Sequence, residues 1–217
     1  MTLGQWVLVL NRRTFYLVTT LWACAVLACF AALERHANQR GTVSPLGATW
    51  PVGSVLKPGS DKATALIFAH PKCPCTQASI QEFQRIEARH VGAFDTVVLF
   101  TVPASDHEDW RSTRLVQQAR NLRSAHIFFD PGGREASLFN AAVSGQVLLF
   151  APDGHLLYSG GVTPARGHEG DNAGQAAFER ALTHLDDPAV SFPVFGCGLI
   201  NPVGPETKIV ETEHRDG

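Results

Sequence analysis

The sequence has no basic excess: 18 Lys and Arg stand against 20 Asp and Glu, a net charge of -2 over 217 residues. Such a balance gives no stripe of charge to follow a phosphate backbone, which argues against nucleic acid as a partner. There is no long run of either charge sign, no low-complexity segment, and no internal repeat with the period of about 20 to 50 residues that builds solenoids. Histidine ligand pairs are absent too. His36, His90, His107, His126, His155, His184 and His214 stand at no ligand spacing to one another and read as structural residues. The length fits one domain with appendages.

The mean hydropathy is +0.00, high for a purely soluble domain, and the excess sits near the N-terminus. Phe15 to Leu33 reads FYLVTTLWACAVLACFAAL, 19 residues without a charge. A helix of that length spans a bilayer core of about 30 Å. Arg12 and Arg13 precede it, so residues 1–14 are expected in the cytoplasm and the rest of the chain on the periplasmic or extracytoplasmic side. Arg35 and Arg40 partly balance that signal. The expectation is a single-pass helix over 15–33 in the inner (cytoplasmic) membrane. A cleaved signal peptide is the competing reading. A lipobox-like Val26-Leu27-Ala28-Cys29 also occurs, but apolar residues continue after Cys29.

Five cysteines are present. Cys24 and Cys29 lie within the apolar segment and serve there as small apolar side chains. Cys73, Cys75 and Cys197 lie outside it, in a compartment that permits disulfides. Cysteines one residue apart make a poor staple, because their bridge removes almost no loop entropy from the unfolded chain. That points to chemistry rather than bracing.

Residues 34–60, punctuated by glycine and proline, read as a linker and lead-in. A globular domain is expected over 61–187. Ala63 to Ala69 (ATALIFA) is a buried strand that ends at His70-Pro71-Lys72-Cys73-Pro74-Cys75. Ile80, Phe83 and Ile86 mark a helix over Thr76 to His90. Thr96 to Val102 is a second strand, Glu108 to Leu122 a second helix, Ala125 to Phe129 a third strand and Glu135 to Ala142 a short helix. Gln146 to Phe150 and His155 to Ser159 flank a Pro152-Asp153-Gly154 turn and form a hairpin. Asp171 or Asn172 caps a last helix with Phe178, Ala181, Leu182 and Leu185 on its buried side. Residues 188–217 form a tail carrying Cys197. Alternation with helices implies parallel strands, and the hairpin adds antiparallel ones. The expected fold is an α/β three-layer sandwich, a mixed sheet with helices on both faces.

The cysteine corner is where open sheets place their sites. A thiolate is the nucleophile in disulfide exchange, and a helix N-terminus favours it through unpaired N–H groups and the macrodipole. Pro74 suits the first helical position. Lys72 adds positive charge, and His70 does so when protonated. A bridge between cysteines at i and i+2 distorts the first turn, so a labile, oxidising couple is expected. Cys73 and Cys75 are the catalytic candidates, with Cys197 as a candidate third thiol in its Gly196-Cys197-Gly198 setting. A second reading is a copper or zinc site made by Cys73 and Cys75 with Cys197 or His168. Trp50 and Trp110 read as packing residues, and the run from Gly167 to Asn172 as a loop and helix cap.

A strand ending in a Cys-Pro-Cys corner, then helix, strand and helix, a hairpin and a final helix, resembles the thioredoxin superfamily. The anchor and the extra strand-helix unit resemble its TlpA/ResA and Sco types. The phrase from His70 to Thr76, with the glycine-rich loop and Phe195-Gly196-Cys197, is most similar to RedB-like proteins. The resemblance covers about residues 45 to 187. It implies a thiol-disulfide oxidoreductase acting on protein thiols or disulfides, fed by a thiol carrier such as a membrane thiol reductase and needing no organic cofactor. The Sco type implies copper carriage instead, and a redox-inert interaction domain is the third alternative. Two departures stand out. The family motif is Cys-x-x-Cys, whose first position falls here on Lys72. The family also places a cis-proline before the hairpin, where this sequence has Val143-Ser144-Gly145, so Ser144 and Gly145 are candidate supporting residues.

Overall fold

The structure is a computed structural model that describes residues 12–41, 47–104 and 108–199. His107, His214, most of the N-terminal 1–14 and the tail beyond Leu199 lie outside the described residues. The chain divides into two compact units, Met1–Gln39 and Arg40–Gly217.

In the first unit α1 spans Arg12–Ala37. Within Thr14–Ala37 an 18-residue window reaches a mean hydropathy of 2.0, long and apolar enough to cross a membrane, and none of that window is buried against protein. Phe15, Leu21, Trp22, Leu27 and Phe30 all stand exposed. A helix apolar all round needs an apolar medium about it. A signal sequence at the N-terminus has the same properties.

The second unit is built on a six-stranded sheet of order β3-β2-β1-β4-β5-β6. β1 (Ala63–Ala69) is central and parallel to β2 (Phe94–Val102), which is parallel to β3 (Ala125–Pro131). On its other side β1 pairs antiparallel with β4 (Gln146–Phe150), so that Phe68 faces Gln146. β4 turns through the tight Pro152-Asp153-Gly154 corner into β5 (Leu156–Gly160). The turn needs Gly154, whose φ is +87°.

β1 is apolar throughout because both faces are covered. Ala65, Ile67 and Ala69 face a core with Ile80, Phe83 and Ile86 of α2 (Pro74–Arg89), Val116 of α3 (Arg114–Ala119) and Phe178 of α5 (Ala173–Thr183). Leu66 and Phe68 face a second core with Ala136 of α4 (Arg134–Leu138), Phe139, Leu148 and Phe150, closed by Trp50. Rings lock the first core: Phe178 meets Phe83 edge-on at 5.3 Å and Tyr158 at 5.4 Å.

Three expectations are corrected here. The helix expected over Glu108–Leu122 is a single 3-10 turn, Glu108–Trp110, followed by the shorter α3. Thr113 resets the start, because its side chain accepts the Val116 N–H as an N-cap. The helix expected over Glu135–Ala142 stops at Leu138, and Asn140 follows in the left-handed region at φ +50°. Leu185, expected on the buried side of the last helix, lies beyond its end at Thr183 and is 37% exposed. Asn172, not Asp171, is the cap, accepting from the Gln175 N–H at 2.9 Å.

The chain after Pro188 does not hang free of the sheet as far as Leu199. Val190–Ser191 forms β6, parallel to β5. Phe192 N–H then donates to Ser159 O at 2.8 Å, Val194 is buried, and Gly198 bridges antiparallel to Val143. A strand of two residues is too short to show a period in sequence.

Candidate active site

β1 ends at Ala69, and His70, Pro71 and Lys72 carry the chain over the sheet edge into α2. Cys73 is the N-cap, extended at φ -86° and ψ 112°, and Pro74 takes the first helical position. Cys73 is 4% exposed, Cys75 half-buried and Cys197 exposed. An open strand-to-helix corner would present Cys73 to solvent, but here the residue is packed beneath its neighbours. A cleft of about 230 Å³ reaches Cys73 between Pro74, Gln77, Thr113 and Leu115.

The loop before β4 supplies the floor. Ser144 Oγ accepts the His70 N–H at 2.8 Å and lies 2.5 Å from Thr76 Oγ1. Gly145, at φ +94°, donates its N–H to Phe68 O at 2.7 Å, and a Cβ there would come within 2.9 Å of Ser79 Oγ. Only glycine fits that position.

The C-terminal strap supplies the wall. Ser144 N–H donates to Cys197 O and Leu199 N–H to Ala142 O, both at 2.8 Å. This pairing brings Cys197 to the corner, where the sulfurs of Cys73, Cys75 and Cys197 lie within 4.8 Å of one another. Loop Gly161 to Gly170 lies alongside. It is tied to α2 by Gly170 N–H, which donates to Glu82 Oε1 at 2.6 Å, and by Arg85 to Glu169 at 2.6 Å. It holds Arg166, whose Nη1 is 4.0 Å from Cys197 Sγ.

The three sulfurs are electrostatically unlike. Burial raises the Cys73 pKa, but the Thr76 hydroxyl and N–H, the Ser144 hydroxyl and the Cys197 N–H outweigh it, so the thiol falls below its ordinary value. Thr76 and Ser144 also share one hydrogen, so whichever donates across the pair leaves the other hydroxyl free for the sulfur. Burial and the charge of Cys73 push Cys75 up. The same two causes push Cys197 up to about 11, with Arg166 working against them.

His70 and Lys72 do not play the expected part. Burial, then the charge of Lys72, lowers the His70 pKa, so the ring is neutral near pH 7. Its Nδ1 accepts the Lys72 N–H at 3.3 Å. Lys72 Nζ sits 3.9 Å above the Trp110 ring, which also meets His70 edge-on at 5.4 Å. Trp110 therefore holds both residues, beyond its packing role. The positive charge that acts on Cys75 and Cys197 is that of Arg166, which sequence reading missed. His168 is not in the sulfur cluster; its Nδ1 lies 2.8 Å from Arg166 O. Thr76 was also missed, although its place three residues after the N-cap is a signal for a group facing the cap.

No family model and no curated protein matches the sequence. Solved structures do. An uncharacterized conserved protein from Geobacillus kaustophilus superposes with TM-score 0.55 at 20% identity, over 76% of this chain and 94% of that one. A hypothetical protein from Sinorhizobium meliloti 1021 gives 0.53 at 16% identity, over 77% and 99%. A secreted disulfide oxidoreductase from Mycobacterium tuberculosis gives 0.40 at 18% identity, over 56% and 81%. At these identities the likeness is one of fold, and by the order and sense of its strands that fold is thioredoxin-like.

Proposed function

We propose that the protein is a membrane-anchored thiol-disulfide oxidoreductase that acts on protein thiols outside the cytoplasm, with Cys73 attacking and Cys75 resolving. The observation that carries this reading is the placement of Cys73 and Cys75 at the start of α2 with their sulfurs within 4.8 Å, and donors that hold the Cys73 pKa down against burial support it. Cys73 thiolate attacks a client disulfide through the cleft beside Thr113 and Leu115, and one client thiolate leaves. Cys75 then attacks the Cys73 sulfur, and the second client thiolate leaves. The client gains two electrons and the protein holds a disulfide, which a thiol donor such as a membrane reductase returns to dithiol. The exchange calls for no organic cofactor. α1 serves as the anchor of a single-pass protein in the inner membrane. A glutathione titration of the full chain in detergent tests the reading. It predicts one two-electron couple between about -120 and -300 mV, the range of known carriers. No loss of thiols across that range contradicts it.

The sulfur cluster favours one second reading, a copper(I) site. Three thiolates that close together suit a soft ion. Zinc fits less well, since a structural zinc site takes four ligands and no fourth ligand joins the cluster among the described residues. Cys73, Cys75 and Cys197 would hold the ion, with Arg166 offsetting their charge. Equal copper(I) binding by a Cys73→Ser, Cys75→Ser variant removes this reading.

A further inference from the structure

The third sulfur has no part in a two-cysteine exchange, yet the strap that carries it is closely fitted. Val194 O accepts the Gly41 N–H at 2.8 Å, Cys197 O accepts the Ser144 N–H, and a Cβ on Gly196 would stand 1.9 Å from Ser144 O. Cys197 is placed by the fold beside both other sulfurs, between two glycines that let its backbone adjust.

Resting on the dithiol reading above, we propose that the oxidised protein keeps its disulfide between Cys75 and Cys197, and that Cys73 remains a free thiolate in that state. Two features point this way. A Cys73–Cys75 bridge joins an extended cap residue to the second residue of the helix that it starts, and closes almost no loop. A Cys75–Cys197 bridge joins the first turn of α2 to a strap already seated against Ala142–Ser144, and closes a long loop. The donors give the second reason. The Thr76 N–H, the Cys197 N–H and whichever of the Thr76 and Ser144 hydroxyls is not donating to the other serve the Cys73 sulfur. A thiolate accepts those hydrogen bonds well and a disulfide sulfur does so weakly, so a bridge at Cys73 strands buried donors while a bridge between the other two keeps them satisfied.

The step balances without an outside oxidant. Client turnover first leaves a Cys73–Cys75 disulfide. Cys197 gives its proton to solvent beside Arg166, and its thiolate attacks Cys75 Sγ, its neighbour in the sulfur cluster. The Cys75–Cys197 bond forms, the Cys73–Cys75 bond breaks, and the electron pair leaves on Cys73 Sγ. The protein is neither oxidised nor reduced further. Cys197 is thus a third catalytic thiol that returns Cys73 to its reactive form, and its exposed sulfur is where an electron-donating thiol meets the bridge.

The test uses the full chain in detergent with Cys24 and Cys29 replaced by alanine. The protein is equilibrated with oxidised and reduced glutathione, its free thiols are capped with iodoacetamide, and the linkages are read by fragment mass spectrometry. The proposal expects Cys75–Cys197 as the majority linkage, with Cys73 capped. It also expects Cys197→Ser to form Cys73–Cys75 instead and to be reduced at least about tenfold more easily, as a strained bridge is. A majority disulfide that includes Cys73 in the unsubstituted site overturns the proposal and leaves the dithiol reading standing. Capping of all three thiols at every glutathione ratio overturns the dithiol reading, and this proposal with it.

Discussion

The Cβ that Gly196 lacks would stand 1.9 Å from the Ser144 carbonyl oxygen. No rotamer relieves that contact, because a Cβ is fixed by its own backbone and its partner is main chain. Gly196→Ala is therefore expected to lift the strap from the loop before β4 and to cost about 1–3 kcal/mol, as overpacking does. The Cys197 N–H leaves the Cys73 sulfur with it, so attack by Cys73 slows near neutral pH. Chemical denaturation and iodoacetamide kinetics measure the two effects. Unchanged values for both contradict the described seat of the strap.

The loop that carries Arg166 depends on Glu82, a carboxylate 1% exposed that accepts the Gly170 N–H and pairs with Arg85. Glu82→Ala leaves that N–H without its partner, at a cost of about 1–3 kcal/mol. It also releases the charge that favours the Cys197 thiolate. Capping of Cys197 is then expected to slow while the rate at Cys73 holds. Equal slowing of both sulfurs would show a general loss of structure instead.

Core packing gives an independent check on the fold. Phe178 is fully buried among Phe83, Phe94 and Tyr158. Phe178→Ala is expected to cost about 3–5 kcal/mol. Leu185→Ala, at a site 37% exposed and past the helix end, is expected to cost far less. Similar losses at the two sites would contradict the position of α5.

The central strands and their order along the chain were legible because their signal is local. An unbroken apolar run such as ATALIFA has one stable outcome, a strand covered on both faces. Pro74 and the Pro152-Asp153-Gly154 turn marked their corners by backbone chemistry alone. Ser144 and Gly145 were found only through resemblance, by the place they take ahead of the hairpin. Thr76 and Arg166 were not found. Arg166 reaches the sulfurs through a loop tied to α2 by Glu82, a contact between residues 88 apart in sequence. Cys197 was seen as a cysteine but not placed, because a two-residue strand and an isolated bridge have no period. Trp110 was read as packing, although it also holds the Lys72 ammonium and meets the His70 ring.

The proposed anchor role of α1 makes a simple prediction. The full chain is expected to sediment with membranes and to resist alkaline carbonate, and removal of Met1–Gln39 to release the second unit. A mature protein that begins just after α1 would show that the helix is a cleaved signal.

Proton linkage at Cys73 has a definite sign. Its pKa is lowered in the fold, so the deprotonated form is favoured there. The stability this gives the reduced protein is present above the pKa of an unperturbed thiol and is lost as pH falls through the lower folded value. Cys197, pushed up to about 11, behaves oppositely: its thiol form is favoured, and that contribution fades as pH rises through the folded value.

Competitive iodoacetamide capping of the reduced full chain across pH tests the account most directly, because thiolate fraction sets the midpoint of each rate profile while access sets only its height. The account predicts that Cys73, though buried, levels off below the pH of an unperturbed thiol, well before Cys197. A Cys73 midpoint at or above that of Cys197 would contradict it.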